Sequence, residues 1–335
     1  MDRSCEHEGA DGRADGRGSV AVHRIEFSIE WPPWTAAAYL VAGAEPTLVD
    51  AGVPGESGRE ELADGLAAHG YALGDVEHVL LTHPHSDHLG QVPALRDADA
   101  TVYAADRTLD RLRRSEADLE AGVRETAHAV GLDEERVDSE VDRALDSLRR
   151  NRRLLPPEEV DVGFAFGEQF AAGGRSVTPL HTPGHQADHA AFALDLGDDR
   201  VLFSGDVLVE PFRAAALNVG LDRGAEDAVD DFYRAYDRLA DHAFDRVHPG
   251  HGPVFETYDA VLAASLERLG EMVDDVFDAV PTDDAASPVA VTEARGKRLD
   301  PPAAMLDTVG ALGSLDGQGR ITRETVDGLR RYRRD

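Results

Sequence analysis

The run His83-Pro84-His85-Ser86-Asp87-His88 sets three imidazoles and a carboxylate within six residues. Four such groups share a short turn only if something takes up their lone pairs, and a metal ion does this where imidazole and carboxylate occur without cysteine. The single cysteine, Cys5, lies far away in an N-terminal stretch poor in core residues, which excludes both a thiolate cluster and an internal disulfide. Residues 76–82 are mostly apolar and read as a strand that runs directly into the histidines. The run therefore sits at a strand-to-loop edge, where open sites form. With a period of two, His83 and His85 point one way, while Asp87 and His88 beyond the turn can face a neighbouring ion. This spacing suits two metals rather than one.

Further ligands should come from other strand ends. His181, His185 and His189 lie in HTPGHQADH, where Thr182-Pro183-Gly184 forms a turn and His185 follows it. Asp206 follows the strand-like residues 201–204, and His248 and His251 belong to HPGHGP, the second again after Pro-Gly. Taken singly, each has an ordinary explanation as a solvent-facing histidine or a turn aspartate. Given the first run, they rise together, because the metals need ligands from several strands. His7, His23, His69, His78, His128 and His242 have no partner motif and read as ordinary surface or core residues.

The rest of the chain supplies a frame for these ends. Residues 20–29, 35–41, 47–49, 101–104, 176–180, 189–194 and 243–247 are strand-like, and Trp31-Pro32-Pro33-Trp34 breaks the first two apart. Residues 60–69, 89–95, 227–240 and 257–280 read as helices. Residues 106–154 differ in texture, with apolar residues three or four apart among many charges, and read as two or three surface helices. Residues 281–290 look like a linker. A helix over 302–315 and a hairpin turned by Asp327-Gly328 then suggest a small winged-helix-like module over 281–335. Residues 1–19 read as a disordered lead-in, without the apolar core of a secretory signal. With no apolar run long enough to span a bilayer, the expected location is the cytoplasm.

Charge narrows the partners. The chain has 65 acidic against 34 basic residues, of which only Lys297 is lysine, for a formal charge of −31. A GC-rich genome would account for the missing lysines but not for the acid excess. The composition resembles that of proteins from salt-in halophiles, haloarchaea especially, where salt screens such self-repulsion. It argues against nucleic acid as a partner, since phosphates call for a positive field.

The ordered set HPHSDH, TPGH, SGD and PGHG, with YLV and TLVDAG before it, resembles the signature of the metallo-β-lactamase superfamily over about residues 20–255. The resemblance implies a four-layer αβ/βα sandwich, with two mixed sheets face to face, helices outside and metals at one edge. The catalytic domain would then span 20–280. It further implies that His83, His85 and His185 bind a first metal, that Asp87, His88 and His251 bind a second, and that Asp206 bridges them. Asp50 would orient a ligand histidine. Two zinc ions are expected, with iron or manganese as substitutes. A hydroxide shared by the ions would attack a carbonyl, because metals lower the pKa of bound water to about 7. Asp87 and Asp206 are the expected catalytic residues, through proton movement.

Fold and metals do not choose the substrate. The insert and tail resemble the glyoxalase II-like and β-lactamase-like endoribonuclease branches. The acidic surface favours a small ester or thioester, as in hydroxyacylglutathione hydrolase. One alternative is an endoribonuclease or phosphodiesterase whose tail arginines (Arg320, Arg323, Arg330, Arg331, Arg333 and Arg334) hold RNA. Another is a persulfide dioxygenase with one iron. A small-molecule partner is expected, with no membrane.

Overall fold

The computed structural model describes residues 20–212 and 215–334; the lead-in with Cys5 lies outside the described residues. Strands β1 (Val22–Ser28) and β2 (Thr35–Val41) pair antiparallel across the Trp-Pro-Pro-Trp turn, and β3 (Thr47–Val49) continues antiparallel to β2. Helix α1 (Glu56–Ala67) leads to β4 (His78–Leu80), then come α2 (Ser86–Leu89), α3 (Val92–Arg96) and β5 (Thr101–Ala105). Three helices follow, α4 (Asp106–Arg113), α5 (Glu116–Val130) and α6 (Glu134–Leu154), before β6 (Val162–Phe164). The six strands form one sheet in the order β1 to β6, parallel from β3 onward.

A second sheet has the order β11-β10-β9-β8-β7, from β7 (Phe170–Ala172), β8 (Arg175–His181), β9 (Ala190–Leu196), β10 (Asp199–Gly205) and β11 (Arg246–Pro249). Helix α7 (Ala228–Ala240) crosses from β10 to β11, which is why that pair alone in this sheet is parallel. After it come α8 (Tyr258–Ala279), α9 (Pro288–Ala294), α10 (Ala303–Gly317) and the hairpin β12 (Thr322–Val326) with β13 (Leu329–Arg333).

Three apolar layers hold this together. Tyr39, Leu80 and Phe164 of the first sheet meet Val177, Phe192 and Phe203 of the second. On the first sheet's outer face Leu62, Leu95 and Leu148 pack over Ile25, Val79 and Val102. Behind the second sheet, Phe232, Tyr236, Leu269 and Leu312 cover Leu202 and Val247. Covered on both faces, β2 reads TAAAYLV as a continuous apolar run rather than an alternating one. The result is the helix-sheet-sheet-helix sandwich that the resemblance implied. Among the described residues, no helix is long and apolar enough to cross a membrane.

Two regions refine the sequence reading. The insert is three helices, the second and third opened by side-chain caps: Ser115 accepts from the Asp118 amide and Asp133 from the Arg136 amide. Between α5 and α6, Gly131 adopts the left-handed cap. Residues 288–290, expected as linker, instead begin α9, with Ser287 accepting from the Ala290 amide and Pro288 opening the first turn. A helix of two turns carries too little apolar period to be told from a linker. Beyond it, Asp327 and Gly328 both take positive φ, 52° and 84°, as a two-residue hairpin turn requires. Helix α10 does not stand apart: Leu312 and Leu315 share one core with α7 and α8.

Candidate metal centre

Each short loop at one edge of the two sheets delivers part of one cluster. The β4 end leads through Thr82 to His83 and His85, and α2 carries Asp87 and His88 one turn later. His185 follows β8, Asp206 follows β10, and His251 follows β11. The seven fall into two groups, His83, His85, His185 and Asp206, and then Asp87, His88 and His251, with donor atoms inside each group within 4.8 Å of one another.

The distances describe a shared cage. His85 Nδ1 lies 3.0 Å from both His83 Nε2 and His185 Nε2. Asp206 Oδ2 lies 3.2 Å from His185 Nε2 and 3.8 Å from His83 Nε2, and also 3.2 Å from His251 Nε2. Its other oxygen is 3.4 Å from His88 Nε2, so this one carboxylate touches both groups. Asp87 Oδ2 stands 3.5 Å from His251 Nε2 and 3.9 Å from His88 Nε2. Ligands around a tetrahedral ion at Zn–N distances are separated by roughly 3.3 Å, within this range.

A surrounding layer decides which nitrogen each imidazole offers. His88 Nδ1 donates to Asp50 Oδ2 at 2.8 Å, and His251 Nδ1 donates to the Thr35 carbonyl at 2.7 Å. His185 Nδ1 donates to the Ala215 carbonyl at 3.2 Å. Thr82 Oγ1 gives its proton to Asp50 and therefore accepts from His83 Nδ1 at 3.0 Å. In all four rings the proton is thus drawn outward, and four Nε2 lone pairs converge. His88 Nε2 and Asp206 Oδ1 are buried with no hydrogen-bond partner among the described residues. Converging lone pairs beside unpartnered buried acceptors are costly without a cation and natural with one. The residues present fit a metal site.

Electrostatics treat the two donor groups differently. Burial pushes His83, His85 and His185 below the usual imidazole range, keeping them neutral as ligands must be. Burial acts the same way on His88 but is outweighed by the Asp206, Asp50 and Asp87 carboxylates, which hold it up. Asp206 is held well below the ordinary carboxylate range, against the effect of burial, by His251, His88 and His185.

Backbone shape is part of the construction. Gly250 lies so close to the cage that a Cβ there would sit 2.3 Å from Asp206 Oδ1 and 2.7 Å from the His88 ring. At Gly205, with φ of +50°, a Cβ would sit 2.5 Å from His189 Nε2. Asp50 itself occupies the left-handed region at φ 60°.

The histidines beside the motifs have other tasks. His189 is fully buried, Nδ1 on Thr182 Oγ1 at 2.7 Å and Nε2 accepting from the Asp206 amide at 3.1 Å, so it fixes the Asp206 loop and is closed to substrate. His248 stacks on Phe203 and edges onto Tyr39, with burial pushing its pKa down to about 4. His181 stacks on Phe166. Sequence reasoning missed Thr82, although it adjoins His83. It also missed Gln186, whose side-chain amide lies 2.7 Å from His85 Nε2 and is held by Arg111. No local pattern marks that pair, 75 residues apart.

Comparison with known proteins accords with this geometry. A β-lactamase-like protein 2 homolog of Caenorhabditis elegans is 25% identical over 238 residues, 70% of this chain and 62% of its own length. An atrochrysone carboxyl ACP thioesterase of Pseudocercospora fijiensis is 24% identical over 302 residues, 87% of this chain and 72% of its own. A hydroxyacylglutathione hydrolase of Methylococcus capsulatus is 24% identical over 216 residues, 62% of each. Among solved structures, a metallo-β-lactamase family protein of Thermus thermophilus superposes with a TM-score of 0.74 at 25% identity, covering 94% of this chain and 98% of its own. Residues 31–254 match the sequence model of the metallo-beta-lactamase superfamily, and the chain belongs to that superfamily.

Proposed function

We propose that this protein is a two-metal hydrolase of thioesters and related small esters, with zinc as the ions. The observation that carries the reading is the convergence of four Nε2 lone pairs on a carboxylate shared by both donor groups. His83, His85 and His185 would hold one ion, Asp87, His88 and His251 the other, and Asp206 both. The chemistry such a pair supplies is activation of water and polarisation of a carbonyl. Asp50 keeps His88 in the tautomer that offers Nε2, and His189 keeps the Asp206 backbone in place. Asp87, beside His251 and His88, would also take part in moving the proton that the activated water gives up.

Thioesters are favoured by the relatives, since both the fungal and the bacterial proteins carry thioester-cleaving names. The tail speaks against RNA. Arg320 pairs with Asp274 at 2.9 Å, Arg323 with Asp316 at 3.2 Å, Arg330 with Glu226 at 2.6 Å and Arg334 with Asp278 at 3.6 Å. Arginines neutralised in this way offer little field to phosphates.

Elemental analysis together with a panel of S-acyl thioesters, lactones, bis-p-nitrophenyl phosphate and short RNA tests the reading. Two zinc ions per chain and thioester cleavage are expected, with Asp87→Ala losing one ion and nearly all turnover. One iron per chain with oxygen uptake on persulfide, or RNA cleavage without thioesterase activity, would overturn it.

A further inference from the structure

Beside the metal centre, beneath the helical insert, lies a cavity of about 830 Å³, a size that encloses a drug-sized ligand. His85, Gln186 and Asp188 line it on the side of the donors. The remaining wall is apolar over most of its area, through Leu112 of α4, Leu119 and Val123 of α5, Leu148 of α6, Leu221, and Leu306 of α10, while Arg107, Asp110, Arg113, Glu140 and Arg143 add charged groups to it. These residues come from distant parts of the chain. The cavity exists because the insert docks on α10, with Ala127 and Val130 packed in one cluster with Leu221, Met305 and Leu306.

Its polarity is uneven. Among the arginines of the wall, Arg114 is matched by Asp118 and Asp222, Arg111 by Asp188, and Arg143 by Glu140 and Asp300. The buried polar atoms without a hydrogen-bond partner among the described residues include Asn151 Oδ1 and Asp188 Oδ2, and both belong to the donor side. Asn151 donates to the Pro84 carbonyl, between two donor histidines, and Asp188 shares Arg111 with Gln186. A ligand that matches this wall is polar at the metals and apolar beyond them.

We infer that the cavity receives the acyl half of the substrate, a medium or long apolar chain running under α5 and α6, while the thiol carrier stays outside. The inference rests on the thioester reading of the same site. A carrier arm with repeated amides would bury polar groups against leucines without partners, a cost an alkyl chain does not meet. Asn151 Oδ1 and Asp188 Oδ2 can accept from water or from a hydroxyl near the reacting carbonyl.

The test uses the metal-loaded protein, with acyl thioesters of one thiol from acetyl to dodecanoyl. A second series varies the thiol, and calorimetric titration follows the matching free carboxylates. Along the acyl series kcat/KM should rise about three- to fourfold per methylene until the cavity is filled, and carboxylate affinity should follow it. Ala144→Phe from α6 and Val219→Phe from the facing loop each put a ring into the cavity, and either suffices if the other fails to fold. Each should weaken decanoate binding more than tenfold and move the optimum to shorter chains. Thioester turnover and carboxylate affinity that ignore acyl length, or that follow the thiol instead, would overturn the inference while leaving the hydrolase reading intact. Chain-length-dependent carboxylate binding that both variants weaken, with no thioester cleaved, would sink the thioester reading and leave the apolar-chain cavity standing.

Discussion

The donor cluster and the outer surface of the protein use the same side chains under opposite conditions. At the cluster, His83, His88, Asp50 and Asp87 are buried, and nearly every polar atom has an assigned partner or faces the shared centre. At the surface, Arg320 of the C-terminal segment and Asp274 of α8 are 38% and 66% exposed and meet at 2.9 Å in water. An exposed pair gains little, because water and salt screen it and two long side chains must be ordered. A buried group loses much when its partner goes, because nothing replaces the lost interaction. The difference separates acidic residues that serve solubility from acidic residues that serve chemistry, within one strongly acidic chain.

Substitutions can break this contrast. Asp206→Asn keeps the shape but removes the charge that both donor groups share. Turnover should fall by more than roughly a hundredfold, beyond the usual cost of changing an outer partner, with metal content dropping in parallel. Undiminished metal content by elemental analysis would show that Asp206 is not the shared ligand. Asp50→Ala leaves every proposed ligand in place but frees the His88 and His83 rings, so metal affinity should weaken about 10- to 100-fold in a chelator competition. A smaller loss would mean that the two rings are held by packing alone.

Asp307 sharpens the comparison, as a half-buried carboxyl away from the cluster. Burial pushes its pKa up to about 6 from 3.8, with the Ala216 amide donating to it at 3.1 Å. A raised folded-state pKa means that the native state retains a proton the unfolded chain gives up between about pH 4 and 6. Stability is therefore lost as pH rises through that window, in full above it, on the order of 3 kcal/mol. Asp307→Asn should raise stability at pH 7.5 and change nothing at pH 4. Equal effects at both pH values in chemical denaturation would count against the shift. At the small end, Asp274→Asn should change unfolding free energy by less than about 1 kcal/mol, a change that shrinks further in high salt.

The hairpin at Asp327-Gly328 and the helices of the insert were legible because their signals are local: a dipeptide that tolerates positive φ, and a period of three to four. Strands β6 and β7 were not, since VGF and FAA carry glycine and alanine where a strand is marked by β-branched and aromatic residues. Within the site, HPHSDH was legible because four donors share one turn, and the later motifs because Pro-Gly or Ser-Gly places a single residue past each strand. The position after Pro-Gly and the resemblance set His185 and His251 apart from His189 and His248, but gave the latter pair no definite task. Only the packed loops show one pair facing inward and the other holding the loop or the core.

By itself, then, the sequence determined which residues could ligate a metal and at which strand ends they would stand, because those choices are made within a few residues of chain. The tertiary structure alone decided which ring nitrogens point inward, how Asp206 comes to touch both donor groups, and that an aliphatic cavity opens beside His85. Each of those depends on contacts between segments tens to hundreds of residues apart, such as Asp50 with His88 or Thr35 with His251. Such contacts are made by the packing of two sheets, and no local pattern encodes them.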